Sequence, residues 1–137
     1  MRKQTRSEAR DAAFTVVFQM DLHTDDMDMI MDELLKARPE CETNLGYISS
    51  IVDGVAQYGE EIEKIIERNL KSGWKLSRIS KASLTILKLA IFEMKYRDDV
   101  PHKVAINEAV ELAKRYGCDD DPHFVNGLLA SVYKETV

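Results

Sequence analysis

Residues 100–133, VPHKVAINEAVELAKRYGCDDDPHFVNGLLASVY, constrain the fold more tightly than any other stretch, because start signal, hydrophobic period and stop signal all agree there. On a helical wheel Ala105, Ile106, Ala109, Val110, Leu112, Ala113 and Tyr116 share one face, with Asn107, Glu108, Glu111, Lys114 and Arg115 opposite. Pro101 stands at the entrance, where a missing N–H costs little, and Gly117 follows the last turn, where a left-handed residue is wanted. A second helix starts almost at once. Asp121 is placed to cap it, Pro122 suits its first position, and Phe124, Val125, Leu128, Leu129 and Val132 supply its apolar face. Two helices joined by a few acidic residues make an αα-hairpin.

The rest of the chain reads the same way. A helix from about Thr5 to Leu22 carries two apolar stripes: Ala9, Ala12, Ala13, Val16, Val17 and Met20 on one side, and Phe14, Phe18 and Leu22, four apart, on nearly the other. Either this helix is sandwiched within its own domain, or the second stripe docks another protein. Extended backwards, the four-residue row reaches Arg10 and Arg6, so one edge passes from cationic to aromatic. Asp25 or Asp26 can cap a helix whose Met27, Ile30, Met31, Leu34 and Leu35 face inward and which Pro39 stops. From Asn44 the pattern of Leu45, Ile48, Ile51, Val52 and Val55 is interrupted at Gly59 and resumes with Ile62, Ile65, Ile66 and Leu70, which predicts two helices with a bend near Tyr58. In KSGWKLSRIS, Gly73 ends the preceding helix, Trp74 is expected to plug the junction, and Ser80 caps the next. That next helix, about Ser80 to Arg97, is apolar almost all round and therefore central; Lys88 and Glu93 are its exceptions, read as a surface edge or an internal ion pair. With only three prolines and six glycines, the expectation is an all-α chain of about seven helices.

Chemistry-bearing patterns are few. The histidines His23, His102 and His123 have no Cys or His at ligand spacing, so no metal site and no cofactor is expected. Asp119, Asp120 and Asp121 lack the glycine and downstream glutamate of a calcium loop. There is no phosphate-cradling glycine loop and no nucleophile elbow. Glu108 and Glu111 read as a charged face, with an acid pair in a cleft as the alternative, and no catalysis is expected. Cys41 and Cys118 read as reduced thiols; with no apolar run of membrane length and no signal peptide, a cytoplasmic protein with no membrane association is expected. The formal net charge of −5 argues against a generally cationic surface. Its distribution is uneven, since Arg2, Lys3, Arg6 and Arg10 stand against Glu8 alone in residues 1–10, a local +3. Such an arm can contact phosphates or simply solubilise the terminus.

The phrase PHKVAINEAVELAKRYG, followed after an acidic loop by HFVNGLL, resembles the signature of the NusB family of bacterial transcription antitermination factors. The similarity extends to ARDAAFTVVFQMD and LTILKLAIFEM and thins over residues 23–60. It implies one domain over 1–137, built as two small packed helical bundles, about 1–72 and about 73–137. It also implies a non-catalytic adaptor that binds boxA-type single-stranded RNA together with NusE, a ribosomal small-subunit protein, within the RNA polymerase antitermination complex that serves ribosomal RNA operons. Carried over by position, RNA contacts fall on Arg2, Lys3, Arg6, Arg10, Lys88, Asp120 and Phe124. The protein-docking side falls on Phe18 and Leu22, with Ser83 in the same surface, and Phe14 belongs to the same stripe. For Phe124 the core face of the last helix is the other reading. Ser7 and Glu8 interrupt the arginines usual in the family arm, and Phe18 and Ser83 stand where some relatives have Tyr and Glu. Two other readings remain open, a protein-only helical adaptor and the detached RNA-binding module of an rRNA methyltransferase, as does a homodimer that masks the partner surface.

Overall fold

The computed structural model describes residues 2–22 and 26–136, and His23 and Asp25 lie outside the described residues. Six α-helices, α1 Arg6–Leu22, α2 Met27–Ala37, α3 Leu45–Arg68, α4 Lys81–Tyr96, α5 His102–Tyr116 and α6 Asp121–Thr136, are joined by 3-10 turns at Pro39–Asn44 and Leu76–Arg78, with no strand among the described residues. The chain clusters into two compact units, Met1–Gly54 and Val55–Val137, divided inside α3, whereas the sequence pattern places the junction near residue 72.

In the first unit α1 opens with a reciprocal cap. Thr5 Oγ1 accepts the Glu8 N–H at 3.1 Å, and Glu8 Oε1 accepts the Thr5 N–H at 3.0 Å, so two otherwise orphaned donors are satisfied. The small residues Ala9, Ala12 and Ala13 are wholly buried, with Val16 and Val17 extending the stripe, and α1 packs against α2 and the first 3-10 turn. The second stripe grades outward: Phe14 is buried, Phe18 half-buried and Leu22 exposed. Asp26 caps α2 by accepting the Asp28 N–H at 3.1 Å, and of the five apolar positions expected to face inward, Ile30 and Leu34 are buried while Met27, Met31 and Leu35 are half-buried. The 3-10 turn after Pro39 has no clear signal in the sequence. It receives the N-terminal arm: Gln4, itself buried, gives its N–H to Thr43 Oγ1 at 3.1 Å and its amide to Cys41 Sγ at 3.1 Å, and its carbonyl accepts from Asn44.

One correction concerns α3, which is a single helix rather than two with a bend near Tyr58. The apolar stripe Ile48, Ile51, Val52, Val55, Ile62, Ile65 and Ile66 stays buried along one face, and that burial outweighs the ~1 kcal/mol by which a mid-helix glycine such as Gly59 falls short of alanine.

In the second unit α4 packs on α5 and α6, and α5 on α6. Ser80 caps α4 by accepting the Ser83 N–H at 3.1 Å, and ten of its sixteen residues are buried, as expected of the central helix. Two expectations here need correcting. Gly117 is not left-handed: its φ is −96°, and only Gly73, at +89°, has positive φ among the described residues. Gly117 is required for space, since a Cβ there would lie 2.8 Å from Asp121 Cβ and 2.9 Å from the Ala113 carbonyl oxygen. Trp74 does not plug a junction; it is 51% exposed, because the turn closed by the Trp74 N–H on the Lys71 carbonyl at 3.0 Å, with Gly73 at positive φ, turns it outward.

Candidate nucleic-acid interface

The four cations of the N-terminal segment differ in how they are held. Arg2 forks onto Glu8, with both bonds at 2.9 Å, and reaches Glu40 at 3.8 Å. This clamp raises the Arg2 pKa further, and the Arg2 hydrogen bond, with the Thr5 bonds, holds the Glu8 carboxyl down at about 2. Lys3 is exposed. Arg6 is exposed and lies 4.0 Å over the Tyr47 ring; Arg10 is buried with its guanidinium 5.7 Å from the same ring. Tyr47 is thus a shared cation–π base that holds two guanidinium groups in position. Nothing in the sequence singles it out, since there it is one apolar position among many on α3.

In the second unit, Lys88 is an internal ion-pair member, its side chain 12% exposed and its ammonium 3.2 Å from Glu63. Asp120 is exposed in the turn before α6, and its carbonyl accepts the Phe124 N–H at 3.2 Å. Asp121 is the first residue of α6, and its carboxylate turns back to accept the Cys118 N–H at 2.9 Å and the Ser80 hydroxyl at 3.3 Å. This acidic turn is therefore a hydrogen-bonded structure. Phe124 is half-buried and its ring is offset from the exposed Trp74 ring, centroids 6.0 Å apart and planes 21° apart. Asp120 and Phe124 are thus brought to one turn, with Trp74 beside them.

On the second apolar stripe of α1, Phe14 is 2% exposed and serves as the ring on which Phe18 stacks, centroids 5.5 Å apart, so Phe18 and Leu22 carry what surface the stripe offers. Ser83 is 1% exposed, and its Oγ has no hydrogen-bond partner.

No group of three His, Cys, Asp or Glu among the described residues could hold a metal ion. His102 donates from Nε2 to the Met94 carbonyl at 3.0 Å and meets Tyr133 edge-on, a structural role. Glu111 pairs with Lys114 at 3.2 Å on the solvent face. Cys41 is buried and Cys118 exposed, both as free thiols, and no helix among the described residues is long and apolar enough to cross a membrane.

The model of the NusB family matches residues 7–134, nearly the whole chain. The chain belongs to the NusB family. It is 40% identical to the transcription antitermination protein NusB of Clostridium novyi, over 94% of this chain and 98% of that protein. Its structure is similar to that of T. maritima NusB, with TM-score 0.84 and 32% identity over 98% of this chain and 94% of that one. It is also similar, with TM-score 0.80 and 27% identity over 95% and 96% of the two chains, to NusB in the crystal structure of antitermination factors NusB and NusE in complex with double-stranded RNA. The family resemblance read from PHKVAINEAVELAKRYG and HFVNGLL, and the all-α fold it implied, are borne out, with six α-helices and two 3-10 turns among the described residues in place of about seven helices. NusB proteins are regulatory factors of transcription, which is the non-catalytic class expected.

Proposed function

We propose that this chain is a non-catalytic transcription antitermination factor that binds boxA-type RNA together with a NusE-type ribosomal protein and acts in the RNA polymerase antitermination complex, in the cytoplasm. The observation that carries this reading is the end-to-end match to NusB proteins, one of which has been captured with NusE and RNA. On this reading the chain is one domain of two helical sub-bundles, about 1–72 and about 73–137.

The site assignments are those the family resemblance implies, and the chemistry of the residues is compatible with them. Lys3 and Arg6 offer charge directly to phosphates, Arg10 is held by Tyr47, and Arg2 becomes available when Glu8 releases it. Phe124 offers its half-buried ring for stacking by an unpaired base, and Asp120 accepts from base amino or imino groups. Lys88 adds a cation that Glu63 holds in place. Phe18 and Leu22 dock the protein partner, with buried Phe14 beneath and Ser83 at the start of α4.

The test is fluorescence anisotropy with boxA RNA, a scrambled single strand and a duplex form, against the protein alone and with the NusE-type partner at moderate salt. Tighter, boxA-selective binding with partner present is expected. Equal binding of boxA and scramble under both conditions refutes the reading and favours a protein-only adaptor.

A further inference from the structure

The largest uncompensated positive charge in a short stretch of this chain is not in the N-terminal arm, whose residues 1–10 sum to +3. Residues 71–81, KSGWKLSRISK, hold Lys71, Lys75, Arg78 and Lys81 and no acid, in a chain whose net charge is −5. All four side chains are exposed, and none forms an ion pair among the described residues. Arg2, by contrast, is already clamped by Glu8. At the centre of the run stands Trp74, 51% exposed, presented by a turn in which Gly73 at φ +89° and the Trp74-to-Lys71 backbone bond fix its position. Its ring is stacked with that of Phe124, centroids 6.0 Å apart and planes 21° apart. An indole half in water that already packs on a second ring loses little entropy when a flat group stacks on it.

From this juxtaposition of a fixed, half-exposed aromatic pair with four unpaired cations we infer that residues 71–81 form a second RNA-binding element, in which Trp74 stacks an unpaired base and Lys71, Lys75, Arg78 and Lys81 neutralise the flanking phosphates. The inference rests on the RNA-adaptor reading and extends it from the arm and the α6 turn to the segment before α4. Aromatic platforms within a cationic track suit single-stranded RNA, since every base has a π-face and each phosphate a charge. Hydroxyls at Ser72 and Ser77 add donors in the same segment, whereas the Ser80 hydroxyl is already given to Asp121 and caps α4.

Trp74 is the sole tryptophan of the chain, so its fluorescence reports this element alone. The experiment titrates a boxA-type single strand into the full-length protein with its NusE-type partner, reading labelled-RNA anisotropy and, with a partner carrying no tryptophan, Trp74 emission in parallel. Quenching of Trp74 that follows the anisotropy isotherm is expected. W74A should weaken binding by about tenfold and W74F by less, since a smaller ring still stacks. The triple variant K71Q/K75Q/R78Q should flatten the dependence of log affinity on log salt by roughly 2, at about 0.7 per phosphate contact on a single strand. Far-ultraviolet circular dichroism of each variant checks that the helices are retained, and the salt slope of the triple variant tests the element without touching Trp74. Tight RNA binding with unmoved Trp74 emission and unchanged W74A and triple-variant affinities overturns this inference while leaving the adaptor reading intact. Trp74 emission that responds to the protein partner but not to RNA overturns it in favour of a protein contact. Absence of RNA binding in every mixture overturns both.

Discussion

Replacing Gly117 by alanine should destabilise the protein, although alanine is the better helix former and φ −96° suits any residue. The added Cβ would meet Asp121 Oδ2 at 2.7 Å, Asp121 Cβ at 2.8 Å and the Ala113 carbonyl oxygen at 2.9 Å. The carboxylate could swing away, but only by giving up the Cys118 N–H and the Ser80 hydroxyl, and the carbonyl and Cβ move only with their backbone. Overpacking of this kind costs about 1–3 kcal/mol, and the entropy removed from the unfolded chain returns about 0.4–1. The net expectation is a loss of about 1–2 kcal/mol, or a few degrees in melting temperature for a domain of this size. Gly59 is the internal control: it sits inside α3, and a Cβ added there would have nothing within 4 Å, so G59A should stabilise by about 0.5–1 kcal/mol. Urea denaturation at constant m-value reads both. A neutral or stabilised G117A, with G59A behaving as stated, would refute the steric account. Because the same turn carries Asp120 and Phe124, G117A should also weaken RNA binding more than its stability loss alone requires.

Other expectations follow from individual contacts. E8Q keeps an oxygen for the Thr5 cap but releases Arg2, so RNA affinity at low salt should rise about threefold, and the gain should vanish at high salt. The Glu8 carboxyl, followed by NMR, should titrate near 2; its contribution to stability is complete above the ordinary value of 4.5 and disappears as the pH falls towards 2. Tyr96, pushed up to about 12 by burial and then by the Glu61 hydrogen bond, should resist ionisation in ultraviolet titration, its contribution being present below pH 10 and lost as the pH rises through 12. E61Q should bring that titration down. S83A removes a buried hydroxyl that bonds nothing, so it should leave stability unchanged or raise it by up to about 1 kcal/mol on thermal melting; a clear loss would show that the hydroxyl has a partner.

Helix positions are legible where period and caps reinforce each other. Ser80 before an almost wholly apolar run locates α4, and Pro101, Asp121 and Pro122 locate α5 and α6 to within a residue. Where one local signal opposes the period, the period wins: Gly59 does not break α3, because isoleucines on both sides of it are buried along one face. Gly117 shows a different limit. Its place after α5 can be read, but the cause lies in the approach of Asp121, a contact invisible in a string of letters. For the candidate interface, residue types are readable and their availability is not. Arg2 and Arg6 look alike in sequence, yet one is neutralised by a carboxylate and the other stands over a tyrosine ring. Trp74 reads as interior on hydrophobicity alone, whereas the turn at Gly73 decides its exposure.

The bonds of Gln4 give the protein a built-in chemical reporter. Cys41 is enclosed, and burial first of all raises its thiol pKa, so it should react slowly with alkylating reagents while its neighbour Gln4 stays in place; Cys118, in the open, should label at once. The rate of the slow phase then measures how often the cationic arm lifts from the 3-10 turn. If RNA is gripped with the arm seated, that phase slows on binding; if the arm is peeled away to reach phosphates, it quickens.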